Sequence, residues 1–270
     1  MIELNSNPNF IKIRKNEKWE TIILRPELLY KAIIELLLDK VNLFYYTTQR
    51  KSCNTLKKAR QDAKRSISNG TIDFKISSIL SNLGWKYDTL DISNTVFQGD
   101  LCEYLMAILI DTFTDSENMI CKVSLKTSPK VASFGNDNLF YNYKTKTLYY
   151  GEAKFYKEVN DAFSEAFSSL KTHTVNELNF ICNHTSEFIA KDGRKLKRLV
   201  KIYETLKFDE IEQGRIIFIM NEDVYLKHDY ERVLKSKSSL INSNDVIAFV
   251  PVLSKEKFLN YFKENLRNYE

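Results

Sequence analysis

Hydrophobic positions recur along this chain at two periods, and the change from one to the other divides it. Near the start, Phe10 to Arg14 and Thr21 to Leu24 read as short strands. From Pro26 the period becomes helical. Leu28, Leu29, Ala32, Ile33, Leu36, Leu37 and Val41 recur at spacings of three and four, and Pro26 suits a first helical turn. A second helix is expected over about 54–68. It is strongly basic through Lys57, Lys58, Arg60, Lys64 and Arg65, and Asn69-Gly70 stops it. Ile72 to Leu83 predicts a further amphipathic helix, ended by Gly84.

A different organisation begins near Gly99. Leu101 to Phe113 is apolar on most sides, as a buried helix would be, with one polar intruder, Glu103. Three strands should follow: Met119 to Thr127, Leu139 to Tyr143 and Leu148 to Phe155. The short polar link Lys144 to Lys146 makes the last two an antiparallel hairpin. Val159 to Cys182 predicts a long helix with Phe163, Phe167 and Leu170 on one side, and a basic helix over Lys191 to Leu206 comes next. Arg215 to Met220, led by Gly214, reads as a buried strand, and Val246 to Leu253 as the last strand. Ser254 then caps a C-terminal helix. The pattern therefore predicts an α/β fold, a mixed sheet flanked by helices. Residues 1–95 form a mainly helical N-terminal region suited to partner or DNA contact. Residues 96–270 form the core, with a basic helical insertion at about 188–210.

Composition narrows the class. Seven glycines and four prolines in 270 residues argue against long flexible linkers, and 43% hydrophobic with 28% charged residues is ordinary for a globular chain. No apolar run approaches the roughly 18 to 20 residues of a membrane span. The N-terminus lacks a secretory signal pattern. Cys53, Cys102, Cys121 and Cys182 are scattered without motif spacing, which fits reduced thiols in a cytoplasmic protein. With three dispersed histidines a His/Cys zinc site is disfavoured, so any metal must sit on carboxylates. A net charge of +5 and a pI near 8.8 are compatible with nucleic acid but do not demonstrate it.

The chemistry-bearing stretch is Thr147-Leu148-Tyr149-Tyr150-Gly151-Glu152-Ala153-Lys154-Phe155. Strand alternation puts Leu148, Tyr150, Glu152 and Lys154 on one face. The other face carries Tyr149, Gly151, Ala153 and Phe155 and suits a covering helix. Glu-x-Lys alone is most simply a solvated ion pair. Asp137, fifteen residues upstream at the start of the preceding strand, changes that. A hairpin brings the start of its first strand beside the end of its second, so Asp137 and Glu152 converge next to Lys154. Taken singly, Asp137 in Gly135-Asn136-Asp137 is ordinary turn composition. Glu103 is either a third carboxylate of this cluster or a residue on the wet edge of its helix, paired with a lysine. Two or three carboxylate oxygens can hold Mg²⁺, which lowers the pKa of a bound water, and a lysine beside them can orient that water or stabilise charge. Arg194, Lys197, Arg198 and Lys201 share one helical face, either as a solvated surface or as a stripe that neutralises DNA phosphates.

Helical Glu103, then Asp137, then Glu152-Ala153-Lys154 before a long helix resembles the core of PD-(D/E)xK nucleases. The wording "GDLCEYL", "FGNDNLF" and "LYYGEAKF" is more specific. Over about residues 99–182 it resembles the HamA family, the nuclease subunit of the Hachiman anti-phage system. The resemblance implies a restriction-endonuclease-like core and Mg²⁺-dependent DNA cleavage, with Mn²⁺ as a substitute. Asp137, Glu152 and the Ala153 carbonyl would be metal ligands, Glu103 a further one, and Lys154 the helper of the attacking water. It also implies a helicase partner of the HamB kind. Two departures stand out: Asn136 replaces the proline that often precedes the aspartate, and Glu165 and Ser168 stand where many members place a glutamine. A free-standing restriction or repair endonuclease, or a non-catalytic DNA-binding subunit, are the alternative readings of the same residues.

Overall fold

Among the described residues, eight strands make one sheet in the order β1-β2-β3-β8-β7-β6-β5-β4. The structure is a computed structural model that describes residues 2–3, 10–15, 19–24, 29–43, 46, 65, 68–69, 75–125, 135–183, 211–222 and 227–269. The strands are β1 (Ile2–Glu3), β2 (Phe10–Lys15), β3 (Trp19–Leu24), β4 (Ser116–Cys121), β5 (Asn138–Asn142), β6 (Thr147–Phe155), β7 (Glu212–Glu222) and β8 (Asp245–Val252). Among the described residues the α-helices are α1 (Leu29–Leu37), α2 (Lys40–Leu43), α3 (Ile76–Leu83), α4 (Thr95–Phe113), α5 (Val159–Asn183), α6 (Lys227–Ser236) and α7 (Lys255–Leu266).

The centre of the sheet is parallel: β3, β8, β7 and β6 run the same way. Antiparallel pairs complete both sides. Parallel strands are covered on both faces, which explains why Ile216 to Met220 is unbroken apolar sequence and is buried throughout. On one face α4 supplies Leu101, Leu105 and Met106 to a core shared with Tyr149, Ala153 and Phe155 of β6. Phe258 and Phe262 of α7 join the same core. On the other, Phe163, Phe167 and Leu170 of α5 pack with Leu148, Tyr150, Ile217 and Ile219. The alternation expected for β6 therefore sorts its side chains between two different helical layers.

Within the described residues the N-terminal region holds helices α1, α2 and α3 and also joins the sheet. It contributes three strands, and β3 pairs in parallel with β8, so the sheet of the core continues into it. The physical reason is the open edge of β8, which the β-branched run Thr21-Ile22-Ile23 covers. Two elements also shift, and one was not expected. Helix α4 starts at Thr95 instead of Leu101, because the Asn94 side chain accepts from the Val96 amide and caps it there. Strand β4 runs from Ser116 to Cys121, and a 3₁₀ turn over Lys122–Leu125 replaces its expected end. Helix α6 was absent from the sequence pattern, yet a parallel β7–β8 pair needs such a crossover. Its apolar contribution is small, Tyr230, Val233 and Leu234, which is why polar sequence hid it. The basic helices expected at about 54–68 and 191–206 lie largely or wholly outside the described residues.

Candidate active site

The C-terminal ends of β6, β7 and β8 emerge at one edge of the sheet. In open α/β sheets that edge is where ligands bind. A cleft of ≈ 640 Å³ lies there, lined by Glu103, Asp137, Ala153, Lys154, Lys157 and Lys255 among others.

Hairpin register builds its acidic corner. Asn138 of β5 stands opposite Gly151 of β6, so Asp137 falls beside the Glu152–Ala153 step. Beyond that point β5 no longer covers β6. The Asp137 amide donates to the Gly151 carbonyl at 3.0 Å, and the Ala153 amide donates to Asp137 Oδ2 at 2.7 Å. In a strand the N–H and C=O of one residue leave the same side, so the Ala153 carbonyl projects from this open edge too. Glu152 is buried, with Oε1 2.8 Å from Lys154 Nζ. Its Oε2 is buried with no hydrogen-bond partner among the described residues.

The charges are held at a cost. Burial pushes the Asp137 carboxyl well above the usual range, and the neighbouring Glu103 and Glu152 carboxylates push it further. The Ala153 amide and Lys154 pull the other way without reversing it. Burial lowers the Lys154 ammonium, but Glu152 and Asp137 more than offset this, so its pKa is raised and it stays charged. Burial also lifts the Cys102 thiol, with Asp137 and Glu103 adding to it, so Cys102 is a neutral filler under the cluster. Glu103 is half-buried on α4, the one residue of Leu101–Ile110 that is not fully buried, and it lines the cleft.

The structure thus brings Asp137, Glu152, Ala153, Lys154 and Glu103 to one place. The stripe Arg194, Lys197, Arg198 and Lys201 lies outside the described residues. No three His, Cys, Asp or Glu side chains among the described residues form a ready three-ligand group. The donors that are present still fit a hard divalent cation. They are oxygens, one buried carboxylate oxygen lacks a partner, and a cation would relieve the Asp137–Glu152–Glu103 repulsion. Sequence reasoning missed Lys255. Its ammonium donates to the Phe155 carbonyl at 2.6 Å and lies 4.6 Å from the Phe155 ring centroid. The available signal was its place after the capping Ser254 at the end of a parallel strand. It missed Asn138 as well, whose buried amide links β5 to α4.

Fold and site define an α/β protein with a carboxylate–lysine cluster in a cleft at the carboxyl ends of its parallel strands. The chain belongs to the HamA family, whose sequence profile matches residues 8–266, nearly its whole length. It is accordingly a subunit of the Hachiman anti-phage defence type. None of the curated proteins matches the sequence. No helix among the described residues is long and apolar enough to cross a membrane.

Proposed function

We propose that this chain is the metal-dependent deoxyribonuclease of a nuclease–helicase defence complex, with a PD-(D/E)xK core. The observation that carries the reading is the convergence of Asp137, Glu152 and Lys154 where β5 begins and β6 runs on past it. Asp137, Glu152 and the Ala153 carbonyl would hold Mg²⁺, or Mn²⁺ in its place, and Glu103 borders the same position. When bound, the ion supplies charge neutralisation and a lowered water pKa.

The chain's own groups do the rest. The Ala153 amide fixes one oxygen of Asp137 and leaves the other for the cation. Lys154, kept protonated by Glu152, offers two further N–H donors to a phosphate oxygen or to the attacking water. Glu152 is buried and paired with Lys154, so its ordering entropy is lost on folding, before substrate arrives.

The test is incubation of the purified chain with linear, circular and single-stranded DNA, with and without Mg²⁺ and the neighbouring helicase. Wild-type protein should cleave in Mg²⁺, alone or with that partner, and Glu152→Gln should not. A folded Glu152→Gln protein that cleaves normally would sink the nuclease reading. The helicase partnership has its own readout, co-elution on size-exclusion chromatography after co-expression. Separate elution, with free degradation of duplex DNA by the isolated chain, would favour a free-standing endonuclease.

A further inference from the structure

The cleft has a second charged corner that the carboxylate cluster does not use. Lys255, the first residue of α7, is half-buried, and burial lowers its pKa. Its ammonium has three donors, one of which bonds the neutral Phe155 carbonyl at 2.6 Å. No carboxylate lies within ion-pair distance of it among the described residues. Glu222 is the carboxylate that acts on it, and its Oε1 is taken by the Lys255 backbone amide at 3.0 Å. Lys157, exposed on the same cleft wall, is its cationic neighbour. Glu158 and Asp161 also line the cleft and are exposed. The electrostatic neighbours of Lys255 are Cys102, Glu222 and Lys157, whereas those of Lys154 are Glu152, Asp137 and Tyr156. Both lysines line one cleft, Lys154 paired with a carboxylate and Lys255 bonded to a carbonyl.

Spacing says what the second corner fits. The Ala153 carbonyl leaves β6 beside Asp137, which takes the Ala153 amide, and the equivalent carbonyl two residues on, that of Phe155, holds Lys255. Two residues of strand span roughly 6.6 Å, a step comparable to that between consecutive phosphates on one nucleic-acid strand. We propose that Lys255, with Lys157, forms an anion subsite that takes the backbone phosphate adjacent to the one being cut. The proposal rests on the nuclease reading of the carboxylate end. A half-buried ammonium without a carboxylate gains most from an anion that enters with the substrate.

The experiment is a length series of short deoxyoligonucleotides bound to the full chain, with Ca²⁺ present to fill the carboxylate end. A dinucleotide carries one bridging phosphate and a trinucleotide two. Wild-type affinity should step up roughly tenfold between them, the weight of one charge-assisted hydrogen bond. Lys255→Gln should lose that step while still binding the dinucleotide, and Lys255→Arg should keep it. Lys157→Gln, an exposed change that leaves packing alone, should reduce the step. A folded Lys255→Gln protein with the full step overturns the subsite and leaves the nuclease reading intact if the wild type still cleaves. A wild-type chain that neither binds the series nor cleaves DNA, alone or with its partner, overturns both.

Discussion

Asp137 Oδ2 accepts the Ala153 amide at 2.7 Å, so a side chain makes the bond that the next residue of β5 would have made had the strand gone on. This single contact sets the corner. It stops the ladder, turns one carboxylate oxygen toward β6, and leaves the second beside Glu152 and Glu103, whose charges Asp137 feels.

The strain of that arrangement predicts a stability trade. The folded-state pKa of Asp137 is raised above its unfolded value near 3.9. Its favourable contribution is therefore full below the unfolded pKa and is lost as pH rises through the folded one. Above the unfolded value the raised pKa therefore costs the metal-free protein stability. Asp137→Asn keeps an acceptor for the Ala153 amide and removes the charge. It should raise the melting temperature of metal-free protein at pH 7 and abolish cleavage. Added Mg²⁺ should raise the wild-type melting temperature and leave the variant unmoved. A variant less stable than wild type in EDTA would contradict the account.

Lys154 is a different case, because its partner is already fixed. Removing it as Lys154→Ala leaves Glu152 Oε1 buried without its ion pair, so both stability and chemistry should suffer. Lys154→Met strands the same oxygen but keeps the packing of the stem, so its loss reports the missing ammonium. The expected loss is on the order of a hundredfold or more in kcat, with far-ultraviolet circular dichroism unchanged. Full activity of a folded Lys154→Met protein would remove the lysine from the chemistry.

Much of the site was legible because its signals are local. Strand period placed Glu152 and Lys154 together, and one short hairpin carried Asp137 back to them. The face sorting of β6 was legible for the same reason. Lys255 was not, because its position depends on β8 lying next to β7 and β7 next to β6, relations that no local period encodes. The sheet edge formed by β1–β3 has the same origin: the strand character of β2 and β3 shows in the sequence, but the pairing of β3 with β8 is a long-range event. Helix α6 is the converse failure, since only three buried apolar residues mark it.

Gly151 tests the contact between α4 and the sheet. A Cβ there would meet the Phe140 ring at 3.0 Å and the Met106 side chain at 3.1 to 3.2 Å. Met106 is flexible but belongs to the helix that carries Glu103. Gly151→Ala should cost about 1–3 kcal/mol by overpacking, read by urea unfolding. Met106→Ala in the same chain should return part of it. Additive losses in the double variant would mean that the methionine is not what the methyl group strikes.

The basic stripe is testable without its structure. Arg194, Lys197, Arg198 and Lys201 changed to glutamate should weaken DNA binding and leave metal binding alone. For every phosphate no longer neutralised, the slope of log K against log salt should flatten by roughly 0.7 to 0.9. An unchanged affinity and slope would return the stripe to a solvated surface.

Asn138 carries the last prediction, because it joins the two elements that must meet for the acidic corner to form. Its Oδ1 accepts from Asn118 Nδ2 at 2.8 Å, and its Nδ2 donates to the Glu103 carbonyl at 2.9 Å. The chain continues outward: the Asn118 amide donates to Asp111 Oδ1, and Tyr46 donates to Asp111 Oδ2 at 2.7 Å. All four side chains are buried, so the members of this path depend on one another. Asn138→Ala should cost about 1–3 kcal/mol through the buried groups it strands. Asn138→Asp keeps the acceptor for Asn118 but has no amide to offer Glu103, and it adds a buried carboxylate next to Asp137. Both variants should raise the Mg²⁺ concentration needed for half-maximal cleavage, because α4 is no longer tied beside Asp137. Asn138→Ala and Asn118→Ala measured singly and together by urea unfolding should show a coupling of about 0.5 to 3 kcal/mol. Strict additivity, with an unchanged Mg²⁺ requirement, would mean that the path is separate packing and that β6 alone positions the corner.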